Sequence, residues 1–398
     1  MDEKKILVVD DSALMRRVLC DIINSDKRFQ VVAKACDGLE AFDLLSRNSY
    51  DAVVLDINMP KMNGLDLLRE LKKFKISARV LIASTDSTEG AEVTIEALEL
   101  GALDFIQKPG TSFECRREEF TTRFLSLLYA VSCSRFTVRD QQSAPVKKPF
   151  GERTGGPVSA LGRGIGVEGR GIPEVRQKNT EKLETVLKKE DDKAEKDRAP
   201  KEKCGSKLVA IASSTGGPRA LQSVIPFLPG NLDAPVLLVQ HMPKGFTSSL
   251  AQRLDSLSDL EVREACDGDV LEKGVVYIAM GGAHMNLKTA SRGTYVIRYS
   301  DEPPREGVKP CANYMFESIA DTDLKEICCV VLTGMGADGT DGIRNLKKKK
   351  EPYVVSQNAE TCVVYGMPKS VTNAGLSNEE IPLEKIADKI TEKIGTRN

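Results

Sequence analysis

Short apolar runs alternate with stretches of helical period along two long segments of this chain, and few architectures accommodate that pattern. From Lys5 to about Tyr129 the runs are ILVV, VVAKA, AVVLD, VLIAS and DFIQK, separated by helix-period segments such as Ser12 to Asn24 and Thr88 to Leu100. Unbroken apolar runs of strand length alternating with helices predict a parallel sheet covered on both faces. A second series, LVAIA, PVLLVQ, VVYIA, CCVVL and PYVVS, starts near Lys207. The expected fold class is therefore α/β in two domains, residues 1–133 and 207–398.

Residues 134–206 lack apolar periodicity and carry glycines, prolines and the charged stretch KKEDDKAEKDRAPKEK. Such a composition buries too little apolar surface to offset chain ordering, so about 70 residues are expected to form a mobile tether, with room for a short helix near Lys182 to Lys189.

The whole chain offers no field for a polyanion: 57 basic residues face 58 acidic ones in 398, a net charge of −1. Partners must be recognised locally, and neither nucleic-acid binding nor membrane insertion is expected. No stretch approaches the ~20 apolar residues of a membrane span. The start, MDEKKILVVDD, lacks the long apolar region of a signal peptide, so a cytoplasmic location is expected. Ten cysteines without a C-x-x-C pair read as reduced core thiols, and two histidines are too few for most zinc frameworks.

Charged and hydroxyl residues close the first series of strands. Asp10 and Asp11 follow the first run, Asp56 ends the third, Ser84 the fourth, and Lys108 closes the fifth just before Pro109. In an open parallel sheet the carboxyl ends of the strands face one crevice, so these groups converge. Three acids repel unless a hard cation such as magnesium neutralises them. With a lysine and a hydroxyl beside them they form a phosphoryl-accepting set in which Asp56 attacks in line. Any one aspartate alone reads equally as a helix cap; the ordered set does not.

VVDDSALMR, LDINMP, NGLDLL and QKP resemble the receiver domain of two-component response regulators over roughly Lys4 to Ser132. The resemblance implies a flavodoxin-like fold, phosphorylation at Asp56, magnesium held by Asp10 or Asp11 with Asp56, Ser84 and Lys108 as the switch pair, and a sensor histidine kinase as phosphodonor.

In the second series LVAIASSTGGP places Ser213 and Ser214 at a strand's carboxyl end. A serine nucleophile needs a base and an orienting acid. His241 follows PVLLVQ directly and sits at a carboxyl end, whereas His284 follows Gly281 and Gly282 and precedes a predicted strand. CCVVLTGMGADGTDG then supplies Asp338 ahead of a helix. Serine, histidine and aspartate thus meet at one crevice, in an order unlike that of the α/β-hydrolases and without their G-x-S-x-G elbow. Gly216, Gly217, Gly334 and Gly336 allow backbone N–H groups to approach an oxyanion. A structural turn or a phosphate cradle uses similar geometry, but SSTGGP lacks the lysine of a P-loop.

SSTGGP, VQHMPKGFT, LTGMGADG and VVYGMPKS resemble the catalytic domain of the chemotaxis protein-glutamate methylesterases from about Lys207 onward. On that pattern Ser214 is the nucleophile, His241 the base and Asp338 the orienting acid, and Met335 lends an oxyanion N–H alongside Thr215 and Gly216. The resemblance implies phosphorylation-activated hydrolysis of glutamate methyl esters on chemoreceptor cytoplasmic helices, with methanol released, and deamidation of receptor glutamines. Magnesium would serve the receiver only, with no cofactor for ester hydrolysis. In the family the unphosphorylated receiver covers the crevice, and the long tether implies weaker inhibition here. Ala212, Ser213, Cys311 and Asn313 stand where glycine, alanine, serine and aspartate are usual, departures that bear on substrate-binding detail more than on catalysis, since the triad candidates are intact. His284 reads as a structural or crevice residue. The competing function is a catalytically silent scaffold that competes for the chemotaxis kinase; a DNA-binding output would need a basic recognition helix that is absent.

Overall fold

The computed structural model describes residues 3–84, 88–109, 111, 114–138 and 202–397. The predicted helix at Lys182 to Lys189 and most of the expected tether lie outside them. The two ends of that segment pack onto the domains. Val138 is buried and its N–H donates to the Ala78 carbonyl at 2.8 Å; Cys204 is buried and its N–H donates to Leu271 at 3.0 Å.

The first domain is a five-stranded parallel sheet in the order β2-β1-β3-β4-β5, the flavodoxin-like order. Its strands are β1 (Lys4–Val9), β2 (Phe29–Ala35), β3 (Ala52–Asp56), β4 (Val80–Ser84) and β5 (Asp104–Gln107). Helices α1 (Ala13–Asn24), α2 (Gly38–Arg47), α3 (Gly64–Lys73), α4 (Thr88–Leu100) and α5 (Glu118–Cys133) cover its faces. The helices start where the sequence caps them: Ser12, Asp37 and Asn63 each accept a first-turn N–H on the side chain. β3 and β4 are buried throughout, which is why they read as unbroken apolar runs.

The second domain holds a seven-stranded, wholly parallel sheet in the order β14-β13-β12-β6-β7-β9-β8. Its centre is β12 (Glu326–Val331), β6 (Lys207–Ser213) and β7 (Val236–Gln240), flanked by β13 (Tyr353–Gln357) and β9 (Val275–Ile278). The alternation found these five strands. It did not find the short polar edges β8 (Glu261–Glu264) and β14 (Glu379–Ile381), nor the full antiparallel hairpin of β10 (His284–Ser291) and β11 (Thr294–Ser300). Helices α6 (Gly217–Gln222), α7 (Phe246–Leu257), α8 (Ala312–Ile319), α9 (Thr340–Lys347), α10 (Met367–Asn373) and α11 (Ile386–Ile394) complete it. The strand order reverses at β6, which opens a crevice beyond the carboxyl ends of β12, β6 and β7. Among the described residues no helix is long and apolar enough to cross a membrane.

Candidate active site and acidic cluster

Register brings the candidate triad together. Ser213 of β6 pairs with Gln240 of β7, so Ser214 and His241 leave neighbouring strands side by side, about 5 Å apart by strand spacing. Asp338 arrives from the loop after β12, the other neighbour of β6. His241 Nε2 donates to Asp338 Oδ2 at 2.7 Å. A carboxylate only accepts, so Nε2 carries the proton and Nδ1 keeps the lone pair.

The Ser214 backbone is fixed on both sides. Its N–H donates to Thr333 O at 3.0 Å, and its carbonyl accepts from Gly217 N at 2.7 Å and Gln240 Nε2 at 3.0 Å. Its hydroxyl makes no hydrogen bond to protein among the described residues. Ser213 differs: it is buried, and its hydroxyl donates to Gln240 Oε1 at 2.7 Å.

The turn after Ser214 needs glycine. Gly216 has φ +75°, and a Cβ there would lie 2.5 Å from Val363. Gly334, opposite, would place a Cβ 2.4 Å from the Met367 sulfur and 2.7 Å from Ser214 Cβ. These close approaches leave the N–H groups of Thr215, Gly216 and Met335 beside Ser214 without a protein acceptor among the described residues. An oxyanion needs unpaired donors of this kind.

Asp338 is almost fully buried, yet its carboxyl is held below the usual range. Burial opposes the charge, but the bond to and charge of His241, the Cys311 thiol and the Ala312 N–H outweigh it. Cys311 and Asn313, departures expected to bear on substrate binding, contact Asp338. Oδ1 accepts from Cys311 Sγ at 3.0 Å, Asn313 N at 2.9 Å and Gly339 N at 2.8 Å; Oδ2 also accepts from Ala312 N at 2.6 Å. The Asn313 amide is committed as well: Oδ1 accepts from Gly339 N at 3.0 Å and Gly342 N at 2.6 Å, and Nδ2 donates to Glu306 at 2.7 Å. An aspartate at that position would face the charges of both Glu306 and Asp338, so the amide suits this loop. His284 is fully buried and burial pushes its pKa down; Nδ1 accepts from Cys311 N at 3.2 Å and Nε2 donates to the Pro303 carbonyl at 3.2 Å. It braces the segment that carries Cys311.

In the first domain the carboxylates of Asp10, Asp11 and Asp56 present oxygens within 4.8 Å of one another at the switch between β1 and β3. Lys108 Nζ lies 3.1 Å from Asp10 Oδ2 and 2.9 Å from Asp56 Oδ2. Burial pushes the Asp56 carboxyl up, opposed by Lys108 and assisted by Asp10. Burial also disfavours the Lys108 ammonium, but Asp56 and Asp10 outweigh it and its pKa rises. Ser84 closes the strand beside them and its hydroxyl accepts from Thr94 Oγ1 at 2.8 Å. The cluster offers only hard oxygen donors, the set that suits magnesium.

One relationship had no signal in the sequence. Asp104, at the start of β5, is buried close to Thr215, the residue after Ser214; burial pushes its carboxyl up to about 6, and Thr215 is among the groups that oppose the rise. Phe105 stacks on Phe246 of α7, ring centroids 4.6 Å apart, and Glu99 of α4 accepts from Gln222 Nε2 at 3.2 Å and from Arg253. The β5 edge of the first domain therefore packs on the turn beside Ser214.

Family comparisons match two separate segments of the chain. Residues 6–116 match the response regulator receiver domain and residues 209–390 match CheB methylesterase. A protein-glutamate methylesterase/protein-glutamine glutaminase of Pyrococcus abyssi is 38% identical over 390 residues, 98% of this chain and 93% of that one. The protein of the same name in Bacillus subtilis is 38% identical over 387 residues, 97% of each. Among solved structures, the Thermotoga maritima CheB methylesterase catalytic domain is 44% identical, covering 47% of this chain and 98% of that one, with a TM-score of 0.46. The response regulator domain of Thermotoga maritima CheB is 40% identical, covering 33% and 97%, with a TM-score of 0.30. With a receiver at one end, a methylesterase domain at the other and relatives aligned over nearly its full length, the chain belongs to the protein-glutamate methylesterase/protein-glutamine glutaminase family of chemotaxis hydrolases.

Proposed function

We propose that Ser214, His241 and Asp338 hydrolyse methyl-esterified glutamate side chains on the cytoplasmic helices of chemoreceptors, and that phosphorylation of Asp56 releases this activity. The observation that carries the reading is the His241–Asp338 hydrogen bond of 2.7 Å beside a serine hydroxyl that bonds to no protein group among the described residues. With Nε2 donating to Asp338, Nδ1 takes the Ser214 proton as the oxygen attacks the ester carbonyl. The N–H groups of Thr215, Gly216 and Met335 face the developing oxyanion, each worth roughly 3–4 kcal/mol of transition-state stabilisation. His241 returns the proton to the departing methoxide, and methanol leaves. It then activates water, which releases the acid and Ser214. Deamidation of a receptor glutamine follows the same path with ammonia departing.

The receiver supplies the control. Asp10, Asp11 and Asp56 would hold magnesium, which offsets phosphate charge when bound. Lys108 would pair with the phosphoryl group on Asp56, drawn from a sensor histidine kinase in the cytoplasm. Because the β5 edge sits on the Thr215 turn, the unphosphorylated receiver narrows access to the crevice, and phosphorylation shifts the population toward an open arrangement.

The test is methanol release from methylated receptor by wild type and Ser214→Ala, with and without a small phosphodonor plus magnesium. Release that needs Ser214 and rises with phosphodonor is expected. A Ser214→Ala protein that matches wild type overturns the assignment.

A further inference from the structure

The Asp338 carboxylate accepts more hydrogen bonds than the orientation of one imidazole requires. Four of its donors are N–H groups, from His241, Ala312, Asn313 and Gly339. The remaining donor is the Cys311 thiol, 3.0 Å from Oδ1. A thiol is the weakest donor in the set. It is also the one donor that a substitution can remove while leaving both the backbone and the triad intact.

We infer that Cys311 is a positioning residue for the hydrolytic site: its thiol donates to Asp338 Oδ1, spreads the carboxylate charge and, with the Asn313 and Gly339 N–H groups on the same oxygen, fixes the plane in which Asp338 meets His241. The inference rests on the proposed roles of Ser214, His241 and Asp338. Bonds to both oxygens stop the carboxylate from turning about its Cβ–Cγ bond, so Oδ2 stays aimed at Nε2. The thiol is itself fixed: Cys311 is fully buried, and its N–H donates to His284 Nδ1 at 3.2 Å. Burial, and then the neighbouring Asp338 charge, push the thiol pKa upward, so the sulfur remains a donor and places no second anion beside the acid.

The softness of the donor has a signed consequence. A carboxylate that loses a donor holds the imidazolium proton more tightly; one given a hydroxyl holds it less tightly. The acid limb of the kcat/KM profile should therefore move to higher pH in Cys311→Ala and to lower pH in Cys311→Ser. Because Cys311 is fully buried behind Asp338, the alanine variant should lose about tenfold in kcat, the worth of one hydrogen bond to a charge, with KM unchanged. The serine variant should recover most of that loss.

The experiment measures kcat, KM and the pH profile of the full-length protein on methylated receptor, with phosphodonor and magnesium, for wild type, Cys311→Ala and Cys311→Ser. The infrared S–H stretch of wild type, isolated by difference against Cys311→Ser, gives an answer that needs neither turnover nor a folded alanine variant. A band lowered by a charged acceptor, and returned toward the free value in Asp338→Asn, supports the inference. A free-thiol band overturns it. So do unchanged turnover and acid limb in Cys311→Ala while wild type is active. Absent methanol release from wild type would instead count against the triad assignment, and the S–H band would still decide whether the thiol binds Asp338.

Discussion

The Ser213 hydroxyl donates to Gln240 Oε1 at 2.7 Å, and this bond separates two serines that are adjacent in sequence. Gln240 passes the constraint on, since its Nε2 donates to the Ser214 and His241 carbonyls at 3.0 and 3.3 Å. Ser213 thus braces the two loops, while the Ser214 side chain stays available. Ser214→Ala should lower methanol release at least ~10³-fold and abolish labelling by a serine-reactive fluorophosphonate. Ser213→Ala should keep the label and lose about 1–3 kcal/mol of stability, because Gln240 Oε1 loses its buried donor. A denaturant titration and the labelling assay distinguish the two variants.

Glu99 ties the receiver to the catalytic domain through Gln222 and Arg253. Glu99→Lys places like charges together where an ion pair stood. The pair is partly exposed, so its loss should weaken the closed arrangement by only ~1 kcal/mol, about fivefold in its population. Unphosphorylated turnover should rise by that factor while the phosphorylated rate stays the same. The isolated fragment from Gly205 onward sets the ceiling. If that fragment is no faster than the unphosphorylated full-length protein, the inhibitory model fails.

The sequence was most readable where a structural rule and a chemical need coincide. Buried parallel strands are continuous apolar runs, so their ends are visible, and Asp10, Asp56, Ser84, Lys108, Ser214 and His241 all lie at such ends. Edges were harder. β8 reads EVRE and β14 EEI, each with solvent on one side and no apolar run to mark it. The Asp338 brace was invisible for another reason: Cys311 and Asn313 reach the carboxylate from a helix start 25 or more positions away, and no local pattern encodes that approach. Asp104 opened a strand that read only as DFIQK, and its neighbour Thr215 belongs to the other domain.

The receiver makes a prediction that separates charge from signalling. Lys108 lies between Asp10 and Asp56 at 3.1 and 2.9 Å, all three buried. Lys108→Ala leaves two buried carboxylates facing each other and should cost about 3–5 kcal/mol in chelator. Magnesium should restore part of that, since it binds the folded cluster and not the unfolded chain. Asp56→Asn should keep the unphosphorylated rate and lose the response to phosphodonor. Thermal melting with chelator or magnesium checks the first claim, and methanol release checks the second.

Asp104 predicts a pH dependence of the closed arrangement. Burial raises its carboxyl to about 6, against the pull of the Phe105 N–H, Thr215 and Arg123. When the receiver swings away and water returns, the carboxyl regains an ordinary value near ~3.9. The closed arrangement therefore binds the proton more tightly and is favoured by it. The contribution is complete below the lower value, falls as pH rises between the two, and is gone above the upper one, where the buried charge opposes closure. Each pH unit within the window is worth about 1.4 kcal/mol. Acid should tighten the receiver onto the Thr215 turn and neutrality loosen it. Asp104→Asn stays uncharged, so its closed population should not change across the window and its unphosphorylated turnover at neutral pH should fall below wild type. Energy transfer between dyes on the two domains, followed from about pH 4 to 7, reads this directly without relying on the triad. A flat wild-type curve, or an Asp104→Asn curve that tracks wild type, would show that another group carries the dependence.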